Sequence, residues 1–388
     1  MVLVTSQHIM PPWPADPNYS HFVDEKVLSE TELMMIKNWV NKGCPIGDSS
    51  RIPSPPVYPT GSLVGKPDLV LRMTKPFFIK GDNQDRFMII KFPFELPKDT
   101  FVRAIEFVPG NRRLVHHVNG HLIQYEDEKK KDVFEGSQIE TFESETFRDA
   151  YKAMKALNDD GSYPLLTLSA TNYLPGVFTT IYPKGIGGFK IKRKGAVFLN
   201  QIHYGPSAVD DSDYSVVNIF FSKKPPERPV RELQLGTLGI SPIIPPLIIP
   251  PGEVKTFYTE CRLAKDVSIL TINPHMHLLG KSFLAFALSP EGDTIPLIRI
   301  KSWDFRWQYF YTFKHPVHLK AGSLIKVIGV YDNTSDNPLN PYNPPQEVRE
   351  RNGSMRTTDE MFQFIISYMD FKKGDEAIDL QNYSHSEK

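Results

Sequence analysis

Cysteine is scarce, charge is balanced and long apolar runs are missing, and each lack excludes a class of protein. Two cysteines, Cys44 and Cys261, cannot form a disulfide framework. Lys and Arg total 45, as do Asp and Glu, so the chain lacks the excess of cations with which dedicated nucleic-acid binders hold phosphates. The longest apolar run, residues 240–251, contains five prolines and is far shorter than the ~20 residues of a membrane span. We therefore predict neither a nucleic-acid binder nor a membrane-spanning chain.

Proline is instead abundant, with 34 residues among 388, which exceeds the average share of about 5%. Proline fits neither the interior of a helix nor a central strand. Aromatic residues reach 12% and hydrophobic residues 40%, enough to build buried cores. The composition therefore predicts an all-β architecture of short strands joined by turns.

The chain divides into a short helical segment and two β-rich blocks. Ser29 and Glu32 have the spacing of a capping box, which predicts that a helix begins there. Short runs rich in Val, Ile and Phe follow, separated by turn residues, as is typical of an antiparallel sandwich or barrel. The predicted strands are residues 68–73, 87–92, 101–108, 115–124, 196–204, 215–221, 255–262, 267–274, 283–288, 295–300, 324–331 and 361–369, with a helical insertion at 145–157. The predicted units are 1–57, two β domains at 61–224 and 230–372, and a tail at 373–388.

Histidines cluster inside or at the end of three of these runs. His116 and His117 are adjacent, His203 lies in a second run, and His275 and His277 lie in a third. Residues i and i+2 of a strand share a face, so the last pair can present two imidazoles to one metal ion. Neighbours on a regular strand face opposite ways, so His116 and His117 can bind one ion only where the strand twists or ends. The pattern predicts metal binding at these positions.

Simpler interpretations stand beside this one. A buried histidine such as His203 is often a hydrogen-bonded core residue, and an ordinary strand contact accounts equally well for Gln201 on the same face. Imidazoles suit zinc, copper, iron or nickel, whereas an added thioether selects copper. Met361 is the candidate thioether, although core packing is the usual role of such a methionine. The remaining histidines are predicted to be structural or exposed: His8, His21, His121, His315, His318 and His385.

The order of these motifs resembles a known family. H-H, then Q-x-H-Y-G, then H-x-H-x-x-G-K, then D-E-M in a closing strand is similar to the copper type II, ascorbate-dependent monooxygenases, the family of peptidylglycine α-hydroxylating monooxygenase and dopamine β-monooxygenase. The resemblance covers roughly residues 65–372, and all six copper-ligand positions are present in order. It implies two consecutive antiparallel jelly-roll-like β-sandwich domains, each with one copper ion, which face each other across a solvent-filled cleft.

The resemblance also implies a role for each ligand position. One copper ion would store and transfer an electron, and the other would bind O₂ where the substrate C–H bond is attacked. Gln201 matches a family glutamine near the electron-transfer copper, where it would order water. The implied ligands are His116, His117 and His203 for the first copper and His275, His277 and Met361 for the second, and the implied catalytic residues are Met361, His275, His277 and Gln201.

The implied activity is that of a bacterial-type two-copper monooxygenase. Such an enzyme hydroxylates an activated C–H bond of a small organic or peptide substrate, using O₂ and two external electrons. Ascorbate or a cytochrome would supply the electrons. A non-catalytic copper-binding or copper-buffering protein that retains the ligands is the alternative, and a two-domain β protein with histidines in its core is a third interpretation.

The substrate side of the match is poorer. Where the peptide-amidating enzyme has arginine, asparagine and tyrosine, this chain has Asn273, Gln363 and Ile365. Gln363 and Ile365 share a strand face with Met361, so Gln363 and Asn273 are the candidate substrate-binding residues. Because the arginine and tyrosine are missing, a peptide ending in glycine is not the expected substrate.

Residues 1–57 resemble the C-terminal half of a c-type cytochrome domain, which some bacterial relatives of these monooxygenases carry. In that domain Met10 would be the axial haem ligand. This sequence contains no C-x-x-C-H motif, so it cannot attach haem covalently. Two explanations stand for the missing motif: the chain is truncated upstream, or the segment survives only as a cap. The first ten residues show no signal peptide, although the family resemblance implies a periplasmic or secreted protein.

Overall fold

A computed structural model of the chain describes residues 1–55, 61–141, 147–175, 177, 179, 181–183, 185–351 and 356–381. The helices are α1 (Val2–Ser6), α2 (Glu30–Asn41) and α3 (Phe147–Ala153). Strands β1 to β11 are β1 (Leu69–Arg72), β2 (Phe77–Ile79), β3 (Arg86–Glu95), β4 (Thr100–Val108), β5 (Val115–Tyr125), β6 (Ile139–Thr141), β7 (Leu165–Tyr173), β8 (Phe189–Ile191), β9 (Lys194–Tyr204), β10 (Asp211–Asp213) and β11 (Val216–Ser222). The remaining strands are β12 (Arg231–Gly236), β13 (Ile248–Ile249), β14 (Val254–Arg262), β15 (Val267–Met276), β16 (Gly280–Leu288), β17 (Thr294–Ile300), β18 (Tyr311–Leu319), β19 (Leu324–Asp332), β20 (Val348–Arg349) and β21 (Phe362–Asp370).

Strands β1–β11 form the first sandwich. A five-stranded sheet has the order β6-β3-β9-β5-β7, and a four-stranded sheet has the order β1-β11-β4-β8. Their pairings are antiparallel. Apolar side chains from both sheets fill the space between them, and Phe92, Val197 and Ile219 are each at most 1% exposed. Removing this apolar surface from water is the main source of stability for such a sandwich.

Strands β12–β21 form the second sandwich. Its sheets have the orders β12-β21-β15-β18 and β14-β19-β16-β17, again antiparallel. Along β19 buried and half-buried residues alternate, as expected for a strand with one face on the core. Strand β15 is instead buried at all ten positions, because both of its faces are covered. The prediction of an all-β fold of antiparallel sandwiches is confirmed.

The N-terminal segment packs on the second sandwich. The side chains of Ser29 and Glu32 each accept a hydrogen bond from the other's backbone N–H, which confirms the capping box at the start of α2. Helix α2 buries none of its residues, all of which the structure describes. Ahead of it, Phe22 is fully buried and forms an isolated antiparallel bridge with Phe313 of β18. The segment is therefore held by residues before the helix rather than by the helix.

Three further features concern the sequence predictions directly. No helix among the described residues has the length and hydrophobicity needed to cross a membrane. Cys44 and Cys261, both in the described part of the chain, are free thiols. Met10, the implied haem ligand, is 46% exposed.

Candidate metal centre

A β-bulge brings the adjacent histidines of β5 to one place. In the pairing of β5 with β9, Val115 lies opposite Tyr204 and His117 lies opposite His203, so His116 is an extra residue in the ladder. A bulge of this kind bends the strand and redirects a side chain. Because of the bulge, the side chains of His116 and His117 need not face opposite ways, as neighbours on a regular strand do.

The three histidines of the first sandwich form a cluster suited to a metal ion. One nitrogen atom of each of His116, His117 and His203 lies within 4.8 Å of the other two. The ring centroid of His203 is 5.1 Å from that of His116 and 4.9 Å from that of His117. His117 and His203 are buried and His116 is half-buried. Three convergent imidazoles are a ligand set for zinc, copper, iron or nickel.

Asp85 and Phe87 hold the ring of His203 in place. The Nε2 atom of His203 lies 2.6 Å from a carboxylate oxygen of Asp85, and its ring stacks on Phe87 at a centroid distance of 4.4 Å. Burial lowers the pKa of His203, and the hydrogen bond to Asp85 opposes that effect. The other nitrogen, Nδ1, is buried and has no hydrogen-bond partner among the described residues. A metal ion would satisfy that atom.

Strand β15 carries the second histidine pair. His275 and His277 flank Met276, which is fully buried in the hydrophobic core, so both imidazoles lie on the opposite face. Their ring centroids are 5.1 Å apart and their planes are perpendicular. Burial lowers the pKa of His275 to about 3 and that of His277 to about 4, so both rings are neutral at pH 7, the form that binds metals. Within the described part of the chain, Nε2 of His275 has no hydrogen-bond partner.

Met361 lies beside this pair at the end of the neighbouring strand. The last ladder pair of β15 and β21 is Met276 with Phe362. His277 directly follows Met276 in sequence, and Met361 directly precedes Phe362. Met361 is 2% exposed, and its carbonyl oxygen accepts a hydrogen bond of 2.8 Å from the hydroxyl of Tyr331. The register therefore places Met361 opposite His277, directly beyond the end of the ladder.

Glu360 is a member of this site that the sequence analysis missed. Its buried carboxylate accepts hydrogen bonds from the backbone N–H groups of His277 (2.9 Å), Leu279 (2.7 Å) and Met361 (3.2 Å). It thereby ties the end of β15 to the start of β21. Burial raises the pKa of Glu360 to about 8, and these hydrogen bonds oppose the rise. The signal was its place beside Met361 in the D-E-M motif, but a sequence does not show where a carboxylate points.

The loop of residues 301–310, here called the bridging loop, was also missed as part of the site. It connects β17 to β18 and belongs to the second sandwich. Phe305 lies edge-to-face with His117 at a centroid distance of 6.2 Å and with His277 at 5.7 Å. The centroids of His117 and His277 are therefore within about 12 Å of each other. Phe305 is 6% exposed, so a buried ring stands where the family resemblance implied a solvent-filled cleft.

The predicted substrate residues make hydrogen bonds within the protein. The side-chain amide of Asn273 donates to the carbonyl oxygen of Tyr309 (2.8 Å), and that of Gln363 donates to the carbonyl oxygen of Thr237 (2.9 Å). Gln201 lies in β9 opposite Asn119, and its side chain is outside what the structure describes. Substrate binding and catalysis by these three residues stay predictions.

Among the other histidines, His121 has a structural role, as predicted. Its ring is buried against Phe198 and its Nε2 lies 2.9 Å from the hydroxyl of Tyr151. The ring of His318 stacks on Phe371 near the surface. His385 lies outside the described residues.

Comparison with known proteins gives no family for this chain. No protein family matches it, and no curated protein does. Among solved structures, PNGF-II is similar with a TM-score of 0.29 and 10% identity over 77% of this chain, which covers 65% of the PNGF-II chain. The VP2 subviral particle of infectious bursal disease virus is similar with a TM-score of 0.19 and 8% identity, over 79% of this chain and 72% of that one. Similarities this weak say nothing about function.

Proposed function

We propose that the protein is a two-copper monooxygenase, which hydroxylates an activated C–H bond of a small organic or peptide substrate with O₂ and two external electrons. The observation that carries the proposal is the convergence of motifs that are far apart in sequence. His116 and His117 meet His203 across β5 and β9, and His275 and His277 meet the start of β21 at Met361. The proposed reductant is ascorbate or a cytochrome, and the proposed location is the periplasm or the extracellular space.

The donor sets fit two copper ions of different character. Three imidazoles would hold the first ion at His116, His117 and His203, and two imidazoles with a soft thioether would hold the second at His275, His277 and Met361. A thioether together with imidazoles favours copper, and Cu(I) in particular. The buried nitrogens of His203 and His275 that lack a hydrogen-bond partner in the described part of the chain are the atoms that such ions would satisfy.

The residues around the ligands prepare them for this chemistry. Bound copper would supply one-electron transfer and the binding of O₂. Asp85 fixes the ring orientation of His203, and Glu360 fixes the backbone on either side of the second site. Burial keeps His275 and His277 neutral and excludes bulk water from them. Each of these effects organises a ligand before the metal arrives.

Copper content after reconstitution and desalting tests the proposal. We expect about two copper ions per wild-type chain and about one in His275→Ala, because each donor set holds its ion separately. His203→Ala should likewise retain about one ion, held at the other site. His121→Gln is the control, since His121 is a buried histidine outside both donor sets, and it should retain the wild-type content. Wild-type protein without bound copper would contradict the proposal.

A copper-binding protein without turnover is the second candidate function. The observation that favours it is the size of the cavity beside the first cluster, which is lined by His117, Asn273, Gln308 and others and has a volume of about 10 Å³. Substrate pockets usually measure about 300–1,000 Å³. Oxygen consumption by reduced, copper-loaded protein with a panel of amines, peptides and phenols separates the two functions. A monooxygenase loses it in Met361→Leu and keeps it in Met369→Leu, a matched change near the far end of β21, whereas a binding protein consumes no oxygen beyond the background of free copper.

A further inference from the structure

The bridging loop is fastened to the sandwich that carries the second histidine pair. The indole N–H of Trp303 donates to the carbonyl oxygen of His277 (3.2 Å), and the amide of Asn273 donates to that of Tyr309 (2.8 Å). Within the loop, the amide of Gln308 donates to the carbonyl oxygen of Phe305 (2.8 Å). These bonds fix the backbone of Phe305 relative to His277.

From this fixed backbone the aromatic side chains of the loop reach the first sandwich. The ring of Phe305 presents itself edge-to-face to His117, with an angle of 88° between the planes. The ring of Trp307 lies 6.4 Å from that of His116. Two of the three histidines of the first cluster therefore contact a loop that is fastened beside the second cluster.

Little room for water remains beside His117 where the two sandwiches meet. The cavity at this place is lined by His117 from the first sandwich and by Asn273, Gln308 and Phe310 from the second. Its volume of about 10 Å³ is about the minimum that one water molecule requires. Beside His117, side chains rather than water therefore fill the space where the two sandwiches meet.

We propose that Phe305 is a positioning residue that fixes the separation of the two metal sites and excludes water from the space between them. The inference rests on the proposed function, because it requires a metal ion at each cluster. A rigid ring in edge-to-face contact with one imidazole of each cluster allows a single separation, whereas a water-filled gap allows many. With metal ions bound at both clusters, this ring would offer a path through protein rather than through solvent for electron transfer between the sites.

Cu(II) bound at both clusters serves as the spectroscopic probe. In wild-type protein the electron paramagnetic resonance spectrum should show dipolar broadening from one Cu(II)–Cu(II) separation, with low relaxation of water protons per bound Cu(II). Phe305→Ala should lose the single separation and raise the water-proton relaxation, because the gap opens and fills with water. Phe92→Ala removes a buried ring from the hydrophobic core between the two sheets of the first sandwich, and should change neither readout. If Phe305→Ala does not fold, Phe305→Leu takes its place with a smaller loss of the same kind.

Two outcomes overturn different statements. Wild-type protein that binds fewer than two Cu(II) ions contradicts the proposed function, and this inference with it. Two bound ions with the same dipolar broadening and the same water relaxation in wild type and in the folded Phe305 variant overturn the role of Phe305 alone.

Discussion

At the scale of single residues, Asp85 decides which nitrogen of His203 is available to a metal ion. A carboxylate only accepts hydrogen bonds, so the contact of 2.6 Å makes Nε2 of His203 the donor. The lone pair then resides on Nδ1, the atom that is buried without a partner among the described residues. The side chain of Asp85 is 51% exposed, so Asp85 contributes by orienting the ring of His203 rather than by burying it.

Asp85→Asn should weaken metal binding at the first cluster without abolishing it. The amide is a weaker acceptor and fixes the tautomer less firmly, and loss of such a partner typically lowers metal affinity about 10–100-fold. Competitive titration with a chelator measures the change. Asp82→Asn is the control, because Asp82 pairs with Arg86 at 2.7 Å rather than with a histidine of the cluster. Equal losses in the two variants would mean that negative charge near the site matters and the hydrogen bond does not.

At this scale the sequence indicated that the histidines cluster, but it did not indicate the residues that support them. The spacing of His275 and His277 indicated that they share a strand face, because H-x-H is a local sequence pattern. Asp85 is 118 positions from His203 in sequence, and only the pairing of β3 with β9 brings the two together. A partner chosen by tertiary contact leaves no local signal, and the same holds for Phe305 between the clusters.

At the scale of elements, the clearest difference concerns β18. No strand was predicted at Tyr311–Leu319, a run that contains Pro316. Strand β18 lies at the edge of its sheet, where proline is tolerated because the N–H it lacks has no partner strand to serve. The register of β15 with β18 also shifts between Ile269 and Thr271, so the ladder is irregular there. Edge position and bulge both follow from the assembled sheet rather than from the run itself.

The end of β12 is an element-scale feature that supports the second site. Gly236 has φ +79° and lies opposite Gln363, and a Cβ atom there would be 1.9 Å from the carbonyl oxygen of Phe362. Phe362 follows Met361 directly. The close approach of backbone at Gly236 therefore sets where β21 begins.

Gly236→Ala should displace the start of β21 and cost one of two bound metal ions. Gly252→Ala is a matched control, because Gly252 has φ +78° and the residues that the structure describes place no atom within 4 Å of the added Cβ. Both variants should lose about 1 kcal/mol of unfolding free energy from the left-handed conformation, and Gly236→Ala should lose more because of the clash. Urea unfolding and metal content provide the measurements. Equal stability and equal metal content in the two variants would show that the contact with Phe362 is unimportant.

At the scale of the whole molecule, the two sandwiches were predictable and their junction was not. Runs of Val, Ile and Phe with regular turns are local signals, and they located most of the long strands. Packing of the N-terminal segment on the second sandwich through Phe22, and insertion of Phe305 between the histidine clusters, depend on contacts distant in sequence. The solvent-filled cleft was an expectation taken from the family resemblance. In the structure, Phe305 of the bridging loop lies between the two histidine clusters instead.

Buried histidines also give the whole molecule a dependence on pH. Burial lowers the pKa of His121 to about 3, whereas the ring is free to protonate near its ordinary value of 6.5 in the unfolded chain. The folded protein therefore binds fewer protons than the unfolded chain below that value. Stability is complete above about pH 6.5 and is lost as pH falls toward about 3.

For metal-free protein, this single group should lower the unfolding free energy by about 2 kcal/mol between pH 7 and pH 5. His121→Gln keeps a side chain able to hydrogen-bond the hydroxyl of Tyr151 but does not titrate, so the fall between these two pH values should be smaller by about that amount. His21→Gln is the control, since the side chain of His21 is 66% exposed, and it should keep the wild-type dependence. Urea unfolding at the two pH values measures the difference. A wild-type dependence in His121→Gln would mean that His121 protonates inside the folded protein, and that the acid sensitivity arises from His275 and His277 or from other groups.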